Sequence, residues 1–319
     1  MSLSLQEKLS AMFLTFSTQW QEGYSSAPEW ASKVAMDIPS NSAANLIGWM
    51  DKIPTVRKWL GPRIVQNAAL RNRTVINEDF ELTLGVPRND VEDDIHGLYA
   101  PMAKEQGEQF RLFPQQYIAT NLILANSLNS IVGFDGVSFF NAAHPVNLDD
   151  SNMGTQSNIV TASGGSLVNG YKQAKAAMMS FKGADGKPMG IQGTTLVVAP
   201  KREQEGLQLF NSNFYPAFVQ GNSTTGNVGT GENVWKGAGE LVVAPELAGA
   251  GDDTAWLFCT NRAVKPFGHW VRKAPTFTPL FNPTDPNVAM NKEYLMLADS
   301  RDGFDVTLWF LAVRIDGLT

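Results

Sequence analysis

The chain has 319 residues and a single cysteine, Cys259, so no disulfide can form within it. Cys259 closes the apolar run Trp256-Leu257-Phe258, the setting of an inert buried thiol, and the chain suits a reducing compartment. Dense positive charge is also missing. No basic run exceeds a pair such as Arg57-Lys58 or Lys201-Arg202, and the formal charge is −6. A protein that coats DNA through its phosphates needs local positive charge, so tight direct DNA binding is not expected. No apolar run reaches the roughly 18 residues needed to cross a membrane. The opening residues, Met1 to Lys8, have neither a basic n-region nor a long apolar stretch, so no signal peptide is expected.

Recognisable catalytic chemistry is absent too. There are three histidines, His96, His144 and His269, and none stands in a zinc-ligand pattern. Asp93 and Asp94 precede His96, but acids in a first helical turn serve the helix dipole. His144, before Pro145, closes a turn and is expected to make a structural hydrogen bond. Gly164-Gly-Ser-Leu-Val does not fit the nucleophile elbow of a serine hydrolase. Gly183-Ala-Asp-Gly-Lys-Pro188 has the wrong spacing for a phosphate loop and reads as a tight turn. The acids Glu78 and Asp79 fall in an alternating strand and read as a solvated face. No catalytic, cofactor-binding or metal-ligating residue is assigned, and no cofactor is expected.

What the chain does have is apolar and aromatic material. Hydrophobic residues make up 43% and charged residues 18%, enough to bury a sizeable core, and the length favours about two domains. Leu5, Leu9, Met12, Phe13, Phe16 and Trp20 recur at helical spacing, an N-terminal helix that serves either as core or as an arm on a partner. Residues 33–87 then read as a long hairpin. Its return stretch, from Thr74, alternates cleanly, with Phe80, Leu82, Leu84 and Val86 on one face and Asp79, Glu81 and Thr83 on the other. Its centre carries Ile47, Trp49, Met50, Ile53, Val56, Trp59 and Leu60, an apolar group with no evident core to enter. Exposed apolar patches mark interaction surfaces, so these seven residues are the candidate assembly interface.

After Pro87, Asn89 and Glu92 suggest a capped helix start. The helical pattern runs on to about Asn129 past Pro101 and Pro114, with a kink or break expected at Pro114. Residues 147–166 and 211–231, rich in Ser, Asn and Gly, read as loops. Helices are expected over 170–181 and 201–211, and strands over 194–199, 240–244, 255–260, 293–298 and 304–313.

Several blocks resemble the major head subunit of Mu-like phages and prophages. They include Asn45-Leu-Ile-Gly-Trp-Met-Asp-Lys-Ile-Pro-Thr-Val-Arg-Lys-Trp-Leu-Gly61 and Arg88-Asn-Asp-Val-Glu-Asp-Asp-Ile-His-Gly-Leu-Tyr-Ala-Pro101. Phe134 to Phe140 with His144-Pro145, Ala177 to Ile191, Leu196 to Pro200, Asn233 to Gly237 and Lys273 to Phe277 are further blocks. The resemblance covers nearly the whole chain and departs in the loops at 147–166 and 213–231. It implies an α+β subunit of the Hong Kong 97-type capsid fold. The divisions it suggests are an N-terminal arm (1–32), an extended hairpin loop (33–87), a peripheral domain with a long spine helix (88–145), an axial domain (146–262) and a return to the peripheral sheet (263–319).

The function implied is structural: hexamers and pentamers of one chain closing an icosahedral shell around packaged double-stranded DNA without gripping it. The implied partners are further copies, a scaffold, a portal and a decoration protein, with no membrane. The implied place is the virion capsid, assembled in the bacterial host cytoplasm. The rival readings are an encapsulin-like compartment shell and a soluble enzyme whose hairpin is a dimerisation arm.

Overall fold

The computed structural model describes residues 5–50, 58, 70–92, 99–124, 131–218, 228–282 and 284–319. At 5–10, 47–50, 70–72, 91–92, 215–218 and 228–231 it describes the backbone alone. The first half of the chain forms α1 (Leu5–Ser26), α2 (Ala31–Val34), β1 (Ala35–Pro39), β2 (Ala44–Met50), β3 (Leu70–Ile76), β4 (Glu78–Pro87), α3 (Arg88–Glu92) and α4 (Tyr99–Tyr117). Helix α4 continues as a π-helical segment, Ile118–Leu124. Next come β5 (His144–Pro145), β6 (Thr155–Gln156), β7 (Ile159–Thr161), α5 (Leu167–Ser180), β8 (Thr195–Val198) and α6 (Glu203–Asn211). The chain ends with β9 (Phe214–Phe218), β10 (Val228–Glu232), β11 (Glu240–Val243), β12 (Ala255–Phe258), β13 (Phe267–Leu280), α7 (Pro286–Asn291), β14 (Glu293–Val306) and β15 (Ala312–Asp316).

Two sheets organise two cores. The first has the order β1-β13-β14-β4, with β1 parallel to β13 and the other pairs antiparallel. In β14, Tyr294, Met296 and Ala298 are buried while their neighbours are less so, the period-two signature of a sheet covered on one side. Helices α1 and α4 cover that side with Phe16, Trp20, Ala103 and Phe110. The two helices meet backbone to backbone. A Cβ on Gly23 would stand 2.0 Å from the Lys104 carbonyl oxygen, and one on Gly107 2.1 Å from that of Trp20. Only glycine permits that approach. It lets Trp20 stack on Phe277 of the sheet and on Tyr24, at centroid distances of 5.6 and 5.4 Å. From Phe16 to Tyr24, helix α1 is therefore part of the core of its own subunit.

The second sheet has the order β11-β8-β12-β15-β7. Every residue of β8 and β12 is buried, as their nearly all-apolar sequences require of strands covered on both faces. Leu167, Tyr171, Ala174 and Met178 of α5 pack into this core. Cys259, just past β12, is fully buried; its surroundings raise its thiol pKa above the ordinary value.

One continuous helix joins the cores. Phe110 of α4 belongs to the first, whereas Ile118, Ala119, Leu122 and Ile123 of the π-helical segment belong to the second. The junction is strapped by side chains. Gln115 accepts from the Trp30 backbone N–H at 3.0 Å and donates to Glu246 at 2.8 Å, and Glu246 also accepts from the Trp30 indole at 3.3 Å.

The structure redraws several expectations. The hairpin is narrower than 33–87: β2 pairs with β3, while β1 and β4 belong to the sheet of four. The apolar face of β4, read as a covered face, packs within its own subunit, with the Phe80 and Phe113 ring centroids 4.5 Å apart. Pro114 lies inside α4 and does not break it; the winding widens only from Ile118. Helix α3 opens at Arg88, so Asn89 sits within it and not before it. Residues 211–231 are not one loop, because β9 and β10 pair. The strand expected over 293–298 is the first part of β14, which runs on to Val306, and the one expected over 304–313 is split by a 3-10 turn at Trp309–Leu311 between β14 and β15. The last strand, β15, does not return to the sheet of four but pairs with β12 and β7. Strand β13 went unread because Pro275 and Pro279 argue against a strand. The structure accommodates the segment with register shifts between Val271 and Lys273 and between Lys273 and Thr276.

Candidate assembly interface

Among the described residues, the β2–β3 hairpin pairs with no other strand. Its register sets Asn45, Ile47 and Trp49 opposite Val75, Arg73 and Arg71, and Ala44, Leu46 and Met50 opposite Ile76, Thr74 and Leu70. Strand alternation therefore divides the proposed interface: Ile47 and Trp49 share one face and Met50 lies on the other. For these three the backbone alone is described, and Ile53, Val56, Trp59 and Leu60 lie outside the described residues. The two faces differ at the base. Val75 is 4% exposed, whereas Leu46 and Ile76 are 70% and 68% exposed. Two large apolar side chains thus stand in water beside each other at the root of the hairpin.

The root itself is tied down by polar groups that the sequence reading passed over. Asn77, buried between β3 and β4, donates to Ser40 Oγ at 2.8 Å and to the Ser42 carbonyl at 2.7 Å. Ser40 donates to Asn45 Oδ1 at 2.9 Å. Arg73 reaches back to Asp305 of β14 at 2.6 Å. Burial pushes the Asp305 carboxyl up to about 6, against the pull of Arg73 and of the Val306 N–H. Gly303 makes room: a Cβ there would lie 2.8 Å from Asn77 Oδ1 and 3.0 Å from Val75. The available signal was Asn77, a polar residue between Val75-Ile76 and the alternating strand β4; Arg73 stands in the polar run Arg71 to Thr74 and gave none.

Two histidines form clasps between elements. His269 of β13 contacts Asp37 of β1 at 2.8 Å and Asp302 of β14 at 3.2 Å, joining three strands. Burial opposes its charge, but the hydrogen bonds and negative charge of Asp302 and Asp37 prevail and push the imidazole up to about 9. The same contact holds Asp37 below the usual carboxylate range. His144 lies 2.5 Å from Asp135 and 3.2 Å from Asn158, stacked on Trp309 at 4.0 Å. It thus makes the structural bonds expected of it. His96 lies outside the described residues. Among the described residues no three His, Cys, Asp or Glu side chains gather as a metal site, and no helix is long and apolar enough to cross a membrane.

Known proteins resemble this chain over nearly all its length. The family of the Mu-like prophage major head subunit gpT matches residues 9–168, 167–247 and 246–317. The major capsid protein of Escherichia phage Mu is 33% identical over 138 residues, 43% of this chain and 44% of that protein. The Mu-like prophage FluMu major head subunit of Haemophilus influenzae is 26% identical over 159 residues, 49% of this chain and 51% of that protein. The chain thus spans about half the length of the curated relatives it matches. In structure it is similar to the procapsid of bacteriophage JBD30, with TM-score 0.58 and 23% identity over 98% of this chain and 76% of that one. The JBD30 capsid decorated with minor capsid protein trimers gives 0.53 and 17%, over 91% and 65%. These likenesses establish the Hong Kong 97-type capsid fold, a mixed α+β fold.

Proposed function

The chain belongs to the family of Mu-like prophage major head subunits, and from that premise we propose that it builds the icosahedral head shell of a tailed phage or prophage. The family is structural, so the work to explain is assembly and not a reaction. Copies of the chain associate as hexamers and pentamers, and the closed shell holds double-stranded DNA without gripping it. A scaffold, a portal and a decoration protein are the further partners of this reading. The sheet of four with α1 and α4 forms the peripheral domain, and the sheet of five forms the axial domain.

One observation carries the reading. Both sheets are already served by cores within the subunit, yet the chain adds a two-stranded hairpin with Leu46 and Ile76 bare at its root. Its apolar residues Ile47, Trp49, Met50, Ile53, Val56, Trp59 and Leu60 then serve a neighbouring subunit. Each such ring is worth a few kcal/mol when buried, and many modest contacts per subunit multiply in a closed shell. Trp49→Ala combined with Trp59→Ala should leave a folded subunit, shown by an unchanged thermal melt, that forms no particles in negative-stain microscopy. Normal particles, or an unfolded subunit, would refute the interface.

A further inference from the structure

The hairpin leaves and rejoins the sheet of four by two legs, and each leg carries one ionisable clasp. The outgoing leg is β1, a strand of five residues at the edge of the sheet. Its Asp37, open to water, meets His269 of β13 at 2.8 Å, and His269 meets the buried Asp302 of β14 at 3.2 Å. The return leg is β3, whose Arg73 meets Asp305 of β14 at 2.6 Å. Strand β14 is thus gripped from both sides. Asp302 faces α4, across a cavity it shares with Phe110 and Phe113. Gly303 and Asp305 face Val75 and Arg73 of β3. Among the described residues, these are the ion pairs that tie β1 and β3 to the sheet. The amides of Asn45 and Asn77 join the two legs to each other through Ser40 and Ser42, and they do not titrate.

The two clasps need protons in opposite senses. A neutral imidazole has one N–H and one lone pair, and a lone pair facing a carboxylate is repelled. Only the imidazolium donates to Asp37 and Asp302 together. Arg73 instead needs Asp305 as the carboxylate, because a carboxylic acid offers it no charge. One clasp fails when a proton leaves and the other when a proton arrives. We infer that the hairpin root is clamped to its own sheet only in a middle range of pH, with alkali releasing the outgoing leg and acid the return leg.

The neighbouring groups set the edges of that range. Burial opposes the charge of His269, but Asp302 and Asp37 push it up to about 9, so the outgoing clasp is whole below that pH and lost above it. The hydrogen bond from His269 holds Asp37 below the usual carboxylate range, and the charges of Arg111 from α4 and of Lys265 act in the same sense. Tyr24 and Glu29 line the same cavity, and Glu29 is paired with Arg111. The outgoing clasp therefore survives mild acid. Asp305 is pushed up to about 6 by burial, against Arg73 and the Val306 N–H. Tyr117 faces it from α4, with Glu78 of β4 near Tyr117; burial and these two acids raise the Tyr117 pKa, so it stays neutral at the acid edge. The residue of β13 in register with Asp305 is the uncharged Gly268. Because Arg73 favours the carboxylate, Asp305 takes up a proton more readily once the leg has let go, and acid drives the release. The clamp belongs to the single subunit and stands apart from the shell reading. A hairpin fixed at its root has less freedom to lose on meeting a partner.

Hydrogen exchange of isolated full-length subunits tests the clamp, read as protection factors so that the intrinsic effect of pH cancels. Protection in Ala35–Pro39, Ala44–Met50 and Leu70–Ile76 should peak between the two edges and fall about tenfold on either side. Protection in β8 and β12 should stay level. His269→Gln should abolish the alkaline fall and keep the acid one. Asp305→Asn and Arg73→Gln should each abolish the acid fall and keep the alkaline one. A level wild-type profile overturns the clamp, and so do falls that survive the substitutions. Falls shared by β8 and β12 would report unfolding of the whole subunit and overturn it as well. The wild-type profile alone can reject the clamp, so the test does not hang on every variant folding.

Discussion

The two sheets of this subunit treat water in opposite ways. Strands β8 and β12 are sealed at every position, while β4 and β14 alternate between a covered and a wet face. A strand sealed on both sides has no surface left for a partner, so its residues answer to the fold alone. A strand with one wet face keeps a surface whose chemistry can be set by assembly. The polar and charged devices described above, the Asn77 cluster, Arg73 with Asp305, and His269 with its two aspartates, all sit on the sheet of four or at the hairpin root. The sealed sheet should therefore govern stability, and the half-wet sheet the response to pH, salt and neighbours.

The strongest test of that division is Trp256→Ala in β12. Trp256 is fully buried, and among the described residues its indole N–H has no hydrogen-bond partner, so its contribution is packing. Truncating a core aromatic costs about 3–5 kcal/mol, a large part of a domain stability of about 5–15 kcal/mol. Urea unfolding should show a drastically weakened or unfolded subunit. A loss below about 1 kcal/mol, the scale of an ordinary substitution, would mean that the sealed sheet is not what holds the subunit together.

A smaller effect is expected from His269, and only as pH changes. Its pKa rises on folding from 6.5 to about 9, so the folded state holds the proton more tightly. The stabilisation is complete below about 6.5 and disappears as pH climbs through about 9. Its upper size is on the order of 3 kcal/mol. Wild-type subunits should lose stability between those pH values, and His269→Gln subunits should lose much less, as followed by urea unfolding at each pH. Parallel pH profiles for the two proteins would remove the clasp from the account.

What the sequence disclosed follows the same line. The sealed strands were readable because short, nearly all-apolar runs admit few alternatives, as at Leu196–Val198 and Ala255–Phe258. The alternation of Phe80, Leu82, Leu84 and Val86 was readable as a strand, but its partner was not. Alternation reports which face is buried and says nothing of which strand lies alongside, so β4 was given to the hairpin when it belongs with β14. Strand β13 was hidden by prolines that its irregular register accommodates, and the clasp of His269 by distance, since Asp37 is 232 residues away in sequence. Of the candidate interface, the hairpin could be seen as an arm with bare apolar residues. Its anchoring could not, because Arg73, Asn77 and Asp305 gain their roles only when β3 crosses β14.

The smallest expected effect lies at that crossing. The Asp305 carboxyl is 8% exposed and is pushed up to about 6, chiefly by burial. An acid whose pKa rises on folding binds its proton more tightly in the folded state. Its contribution therefore improves as pH falls from about 6 toward 3.8, and at neutral pH the buried charge is a standing cost that Arg73 offsets in part. Asp305→Asn keeps the size of the side chain and an oxygen able to accept from the Val306 N–H, a bond of 2.8 Å. Subunit stability at pH 7 should thus be unchanged or improved, within about 1 kcal/mol, and its dependence on pH between about 4 and 6 should flatten. The hairpin should nonetheless lose part of its anchor. Amide exchange in Ala44–Met50 and Leu70–Ile76 is expected to quicken while that of β8 and β12 stays the same. A melt several degrees lower at pH 7 would instead make Asp305 a support of the fold, and the separation of fold from assembly would fail at the residue where the two regions of chemistry meet.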